Sequence, residues 1–284
     1  MHLPGISNVL KGFLFFSASL SISAGATDIP CRAQTKLGLG LLTSRVIIVG
    51  ETHGTKEIPE FVSGLACSLA NEDRPLLVGL EMPIDEQKSI SEYLKSTGTP
   101  EDKHRLTSGK FWHPYMPDGR SGEAMLKLID DIRLLHAAKK EVFLFAMDMD
   151  DNQMPLPLSK NESNWPGLRN AFMALNIETR LGQYPNYTAL ILVGNYHAEK
   201  GIGTPEDKDG HSMAEILSHK FAIQNIDFST TGGEAWTCEG PSARTAVCGP
   251  HSRKARAKFS DSDYDFIVPL GKISASSPAV SSKN

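Results

Sequence analysis

Four stretches of this chain are nearly unbroken apolar runs: residues 45–50, 75–81, 142–147 and 188–194. Strands buried on both faces read this way, because neither face is left to water. Residues 221–228 and 264–270 are weaker examples. Between the runs, apolar positions recur at helical spacing. Phe61, Leu65 and Leu69 lie four apart within 58–71, and Met125, Leu128, Ile129, Ile132 and Leu135 share one face of 121–139. Pro59 fits only the first turn of a helix, so that helix starts near residues 55–58. Residues 166–182 and 211–220 are further helices, and the polar stretch 85–108 reads as short helices in an insertion. Strand alternating with helix predicts one α/β domain with a mostly parallel central sheet and helices on both faces.

The two ends fall outside this pattern. Within the first 26 residues Lys11 is the only formal charge, Gly12 to Ile22 is apolar or small, and Ala24-Gly25-Ala26 suits cleavage. This is the pattern of a secretory signal peptide, and it is too short to span a membrane. A periplasmic or secreted protein is expected, without an integral membrane segment after cleavage. The folded domain then covers 27–273, and the Ser-rich tail 274–284 is expected to be disordered.

Export changes the reading of the cysteines. All four follow the signal segment, and an even number implies two disulfides. Three pairings exist, of which Cys238–Cys248 and Cys31–Cys67 are expected. The formal charge of −4 becomes one unit more negative without Lys11, which opposes nucleic-acid binding. The basic run from His251 to Lys258 reads as a solvated loop.

Three of the apolar runs end in chemistry. Val46-Ile47-Ile48-Val49 leads into Gly50-Glu51-Thr52-His53-Gly54-Thr55-Lys56-Glu57, and Leu190-Ile191-Leu192-Val193 leads into Gly194-Asn195-Tyr196-His197. The run at 76–80 ends in Glu81. Ligands bind at the carboxyl ends of strands in open α/β sheets, so two imidazoles and two carboxylates can meet there. Glu51 and His53, two apart in extended backbone, can face one cavity. A carboxylate beside an imidazole raises its basicity and fixes its tautomer, so His53 can take a proton from water. Thr55 and the backbone N–H groups after it open a helix, a favourable place for an anionic group. Asp148 ends the 142–147 run. Phe111-Trp112-His113-Pro114-Tyr115 suits a wall or lid over a substrate. A serine-hydrolase elbow, a P-loop, a dinucleotide fingerprint and a zincin helix are all missing from the sequence.

The motif Gly50-Glu51-x-His53-Gly54-Thr55-x-Glu57, with Leu80-Glu81 and Gly194-x-x-His197, resembles the erythromycin esterase family. That family is grouped with ChaN-like haem-binding proteins and the TraB/Tiki proteins. The esterase resemblance implies metal-independent hydrolysis of a small-molecule ester or related acyl bond. His53 would be the general base, Glu51 and Glu81 would orient base and water, and His197 would complete the site. Glu57, Asp148, Trp112 and Arg120 are expected to face substrate. Lys56 stands where the family usually has Arg, and the chain is short for a macrolide esterase. Glu81→Gln is expected to abolish turnover with little change in stability. Two rival readings keep the same residues. Glu51, His53, Glu81 and His197 could ligate a divalent metal in a Tiki-like peptidase. Tyr115, Tyr196, His113 and Met147 could offer haem ligands, as in ChaN-like proteins.

Overall fold

The computed structural model describes Met1 and residues 30–31, 37–150, 165–201, 210–242, 245–256 and 263–280. Residues 2–26 of the expected signal segment lie outside the described residues. The strands are β1 (Val46–Glu51), β2 (Leu76–Pro83), β3 (Val142–Asp148), β4 (Thr188–Gly194), β5 (Ile223–Glu239), β6 (Val247–Arg253) and β7 (Phe266–Ile273). The helices are α1 (Glu57–Asn71), α2 (Gln87–Leu94), α3 (Pro100–Leu106), α4 (Glu123–Ala137), α5 (Trp165–Gln183), α6 (Asn195–Ala198) and α7 (Met213–Ser218). The sheet order is β3-β2-β4-β1-β5-β6, with β7 beside β5. Every pairing is parallel except β5 with β6. The chain is thus a single α/β domain with a mostly parallel sheet, as its sequence predicts.

Alternation along the strands divides the core in two. Ile47, Val49, Val78, Leu80 and Leu190 pack with Leu65 and Leu69 of α1 and Leu128 and Ile132 of α4. Their neighbours Val46, Ile48, Leu77 and Ile191 pack on the opposite face with Met173 and Ile177 of α5 and Leu217 of α7. Successive side chains on a strand point to opposite faces, so an all-apolar strand needs helices on both sides. Truncating one of these buried leucines to Ala costs about 2–5 kcal/mol.

The outer edge of β3 is covered by side chains. Gln87 of α2 donates from Nε2 to Leu144 O at 3.3 Å and accepts from Ala146 N at 2.9 Å. Asn176 of α5 donates to Met147 O at 2.9 Å. One primary amide therefore makes the two hydrogen bonds that a neighbouring strand would make.

Two expectations need correction. Residues 274–280 are ordered. Ser274 O accepts from Lys56 N at 3.0 Å, Ser276 Oγ from Ala124 N at 2.9 Å and Ser277 O from Glu123 N at 2.7 Å. Helix starts leave backbone N–H groups without intrahelical partners, and this segment supplies acceptors to α1 and α4. Its serines serve as caps, which composition alone cannot distinguish from a solvated tail. One N–H at the start of α1, that of Lys56, is accordingly taken by the chain's own carbonyl. The basic run is also not a loop. His251 and Arg253 belong to β6, antiparallel to an extension of β5 through Glu239, whereas Ala257 and Lys258 lie outside the described residues.

Both expected disulfides are present. Cys31–Cys67 anchors the start of the described domain to α1, and Cys238–Cys248 joins directly opposed residues of β5 and β6.

Candidate functional site

The strand order puts the site together. The chain leaves β1 through α1 and enters β2, but β4 lies between those two strands. The carboxyl ends of β1, β4, β2 and β3 therefore stand side by side, carrying Glu51, Gly194, Glu81 and Asp148. Glu51 is in register with Gly194. The regular pairing of β2 with β3 breaks between Leu80 and Pro83. At that irregularity the Glu81 carboxylate turns to accept from Gly194 N at 2.6 Å. A side chain thus replaces a ladder bond and holds a carboxylate at the sheet edge.

His53 sits between two acids. Its Nδ1 is 3.2 Å from Glu51 Oε2, and its Nε2 is 3.5 Å from Glu81 Oε2. Two glycines make room. Gly54 has φ of 76° and its carbonyl accepts from Trp236 N at 2.9 Å; a Cβ there would lie 2.1 Å from Trp236 O. A Cβ on Gly194 would lie 2.8 Å from His53 Nε2.

Glu81 is the centre of a wider network. Its Oε1 accepts from Arg169 Nη2 at 2.5 Å and Arg120 Nη1 at 3.3 Å, and stands 3.9 Å from His197 Nε2. Arg169 also donates from Nε and Nη2 to Asp148 at 2.9 and 2.5 Å, and its Nη1 is 3.1 Å from His197 Nε2. Asn170 Oδ1 lies 2.5 Å from His197 Nδ1. These groups border a cavity of about 600 Å³ open to solvent, with Asp118, Tyr196, Thr237 and Arg253 on its rim.

Electrostatics separates the two imidazoles. Burial alone would lower the His53 pKa, but the Glu81 charge and the hydrogen bond to Glu51 outweigh it, so His53 is a stronger base than a free imidazole. His197 moves the other way: burial lowers its pKa, and Arg169 adds to the effect against the pull of Glu81. Burial also opposes the charge of Glu81, yet His53, Arg169, His197 and Arg120 together hold its carboxyl well below the usual range. Burial raises Glu51, and His53 only partly restrains it.

The four residues expected to do chemistry, Glu51, His53, Glu81 and His197, converge on one cavity. Of those expected to face substrate, Arg120 lines it. Asp148 does not, because it is buried behind the site with its oxygens engaged by Arg169 and Arg120. Glu57 accepts from Ser274 N at 2.9 Å and caps the C-terminal segment. Trp112 is buried, and with Tyr115, Pro117 and Trp236 it borders a separate cavity of about 480 Å³. Of the candidate haem ligands, His113 and Tyr115 border that second cavity, with His113 Nε2 donating to Thr107 O at 2.9 Å, while Met147 is in the core beneath α5 and Tyr196 stands at the site cavity. The donor set also fits a divalent cation poorly. Two guanidinium groups occupy Glu81 and Asp148, and a third cationic partner would have to displace them. Among the described residues no group of three His, Cys, Asp or Glu is arranged to hold a metal.

Arg169 and Asn170 have no signal in the sequence. They lie on α5, where an amphipathic pattern reads Arg169 as a solvated charge. Only the fold turns that helix face toward the strand ends.

No family model and no curated protein matches the chain. Solved structures do match its fold. A mutant of the erythromycin esterase EreC in its open conformation aligns over 78% of this chain and 80% of its own, at TM-score 0.59 and 12% identity. A succinoglycan biosynthesis protein aligns over 82% and 89%, at TM-score 0.61 and 11% identity. A Bacillus cereus protein aligns over 88% and 96%, at TM-score 0.56 and 13% identity. The chain shares the fold of these three structures. Among its described residues no helix is long and apolar enough to cross a membrane.

Proposed function

We propose that this chain is an exported hydrolase in which His53 activates water to cleave an ester or related acyl bond of a small molecule. The observation that carries this reading is the placement of one imidazole between two acids at an open cavity. Glu51 accepts from Nδ1–H, and in the neutral ring the Nε2 lone pair is open to water from the cavity, with Glu81 Oε2 3.5 Å away to stabilise the imidazolium that forms. Nε2 takes a proton from water, the resulting hydroxide forms a C–O bond to the carbonyl carbon, and the bond to the leaving oxygen breaks. The imidazolium then returns the proton to that oxygen. Arg120, at the cavity wall, faces the negative charge that develops on the carbonyl oxygen. The signal-like N-terminus and the two disulfides support export. The likeness to an erythromycin esterase fold supports ester chemistry.

The two arginines on the carboxylates favour the metal-free reading over a metallopeptidase. The test is turnover of a broad ester panel by protein purified without a His tag, with and without chelator. Wild type should act in chelator, and His53→Ala should lose roughly 10²–10⁴-fold in kcat. Full activity in His53→Ala, or loss of activity in chelator that added metal restores, would overturn the proposal.

A further inference from the structure

We infer that Asn170 is a positioning residue that fixes the proton of His197 on Nδ1, so that Nε2 faces the site as a permanent acceptor. The chain of contacts starts at a backbone carbonyl. Asn170 Nδ2 lies 2.9 Å from His211 O. A carbonyl oxygen can only accept, so the amide nitrogen of Asn170 must face it, and this chemistry alone selects one of the two amide orientations. Oδ1 is then turned toward His197 Nδ1 at 2.5 Å. An amide oxygen can only accept as well, so Nδ1 must carry the hydrogen. The neutral ring then has its lone pair on Nε2.

The groups around Nε2 agree with this assignment. Arg169 Nη1, 3.1 Å away, has only hydrogens to offer. It donates to a lone pair and would repel an N–H. The neighbouring acceptor, Glu81 Oε1, is farther at 3.9 Å and is already held by Arg169 and Arg120. Burial and Arg169 both disfavour the imidazolium, so the neutral ring is the form that needs its tautomer set. Asn170 is itself 3% exposed. An unpaired amide at that depth is costly, and both of its polar atoms are used here. The relay runs from the segment before α7, through α5, to α6. It holds the Nη1 side of Arg169 while Nε and Nη2 remain on the carboxylates.

This role does not depend on which bond the site cleaves, and the experiment reads the ring directly. In protein with 15N-labelled histidine, nitrogen–hydrogen correlation spectra at alkaline pH should give His197 the Nδ1–H pattern. The signal is assigned by its loss in His197→Gln. Asn170→Asp keeps an acceptor opposite Nδ1 and should preserve that pattern. Asn170→Leu removes it and should give a mixture of tautomers or the Nε2–H form, even if turnover is unmeasurable. In wild type, an Nε2–H pattern would overturn the assignment without any variant being needed. An unchanged Nδ1–H pattern in a folded Asn170→Leu would overturn the role of Asn170. Where an ester substrate is in hand, Asn170→Leu should lower kcat at least tenfold with KM little changed, and Asn170→Asp should recover part of it.

Discussion

Glu81→Gln is the substitution on which sequence and structure disagree most usefully. Read from the sequence, it removes a catalytic carboxylate and leaves stability alone. In the fold, that carboxylate accepts from Arg169, Arg120 and Gly194 N and lies between two imidazoles. An amide retains one acceptor oxygen and presents an NH₂ group to donors. Removing one partner of a buried ion pair costs about 3–5 kcal/mol. The lower figure applies, because Asp148 still binds Arg169 through two nitrogens. For a domain of this size each kcal/mol moves Tm by about 2–4 °C, so a fall of about 6–12 °C is expected near neutral pH. The sign of the pH dependence follows from the lowered pKa of Glu81. Its contribution is fully present above the ordinary glutamate range and is lost as pH falls through the depressed folded value. Calorimetric melts of both proteins from neutral pH into acid should show a gap that narrows as the wild-type carboxylate is protonated. A neutral-pH gap under about 2 °C, or one that stays constant into acid, would refute the claim that this charge organises the site.

Three other outcomes follow from the same geometry. The kcat/KM profile should rise with loss of the His53 proton at a midpoint above the ordinary imidazole value of about 6.5, and Glu51→Gln should lower that midpoint; an unmoved midpoint removes Glu51 as one of the two acids that raise it, the other being Glu81. Gly54→Ala forces a side chain into φ of 76° and against Trp236 O, so urea unfolding should show a loss of at least the roughly 1–2 kcal/mol of left-handed strain; wild-type stability would contradict the close approach. A chain ending at Ile273 loses acceptors at two helix starts and should be less stable by about 1–4 kcal/mol, at roughly 0.5–2 per cap; an unchanged denaturation midpoint would return residues 274–280 to the status of a dispensable tail.

The strands were legible because β1–β4 are buried on both faces, and a short continuous apolar run bounded by turn residues fits little else in an α/β chain. Glu51, His53, Glu81 and His197 were legible because each follows such a run directly. The β5–β6 hairpin was not. Its residues are half polar, and Thr237 and Arg253 face the cavity instead of a core, so neither a buried run nor a clean alternation marks them. Trp112 shows the opposite failure. An aromatic cluster beside Arg120 in sequence looked like a substrate wall, but a few irregular residues at Pro117–Gly119 carry the two to different cavities. Arg169 and Asn170 are invisible for a third reason. Helix periodicity reports which face is apolar and says nothing of a polar position that a distant strand end will claim.

The Gln87 clasp on β3 bears on how the protein behaves in company. An outermost strand with free backbone groups invites a second molecule to continue the sheet. Here a single glutamine occupies the docking points at 144 and 146, and Asn176 takes the carbonyl at 147. Self-association through this rim would first require those amides to let go, which gives each molecule a built-in resistance to fibre growth from that side.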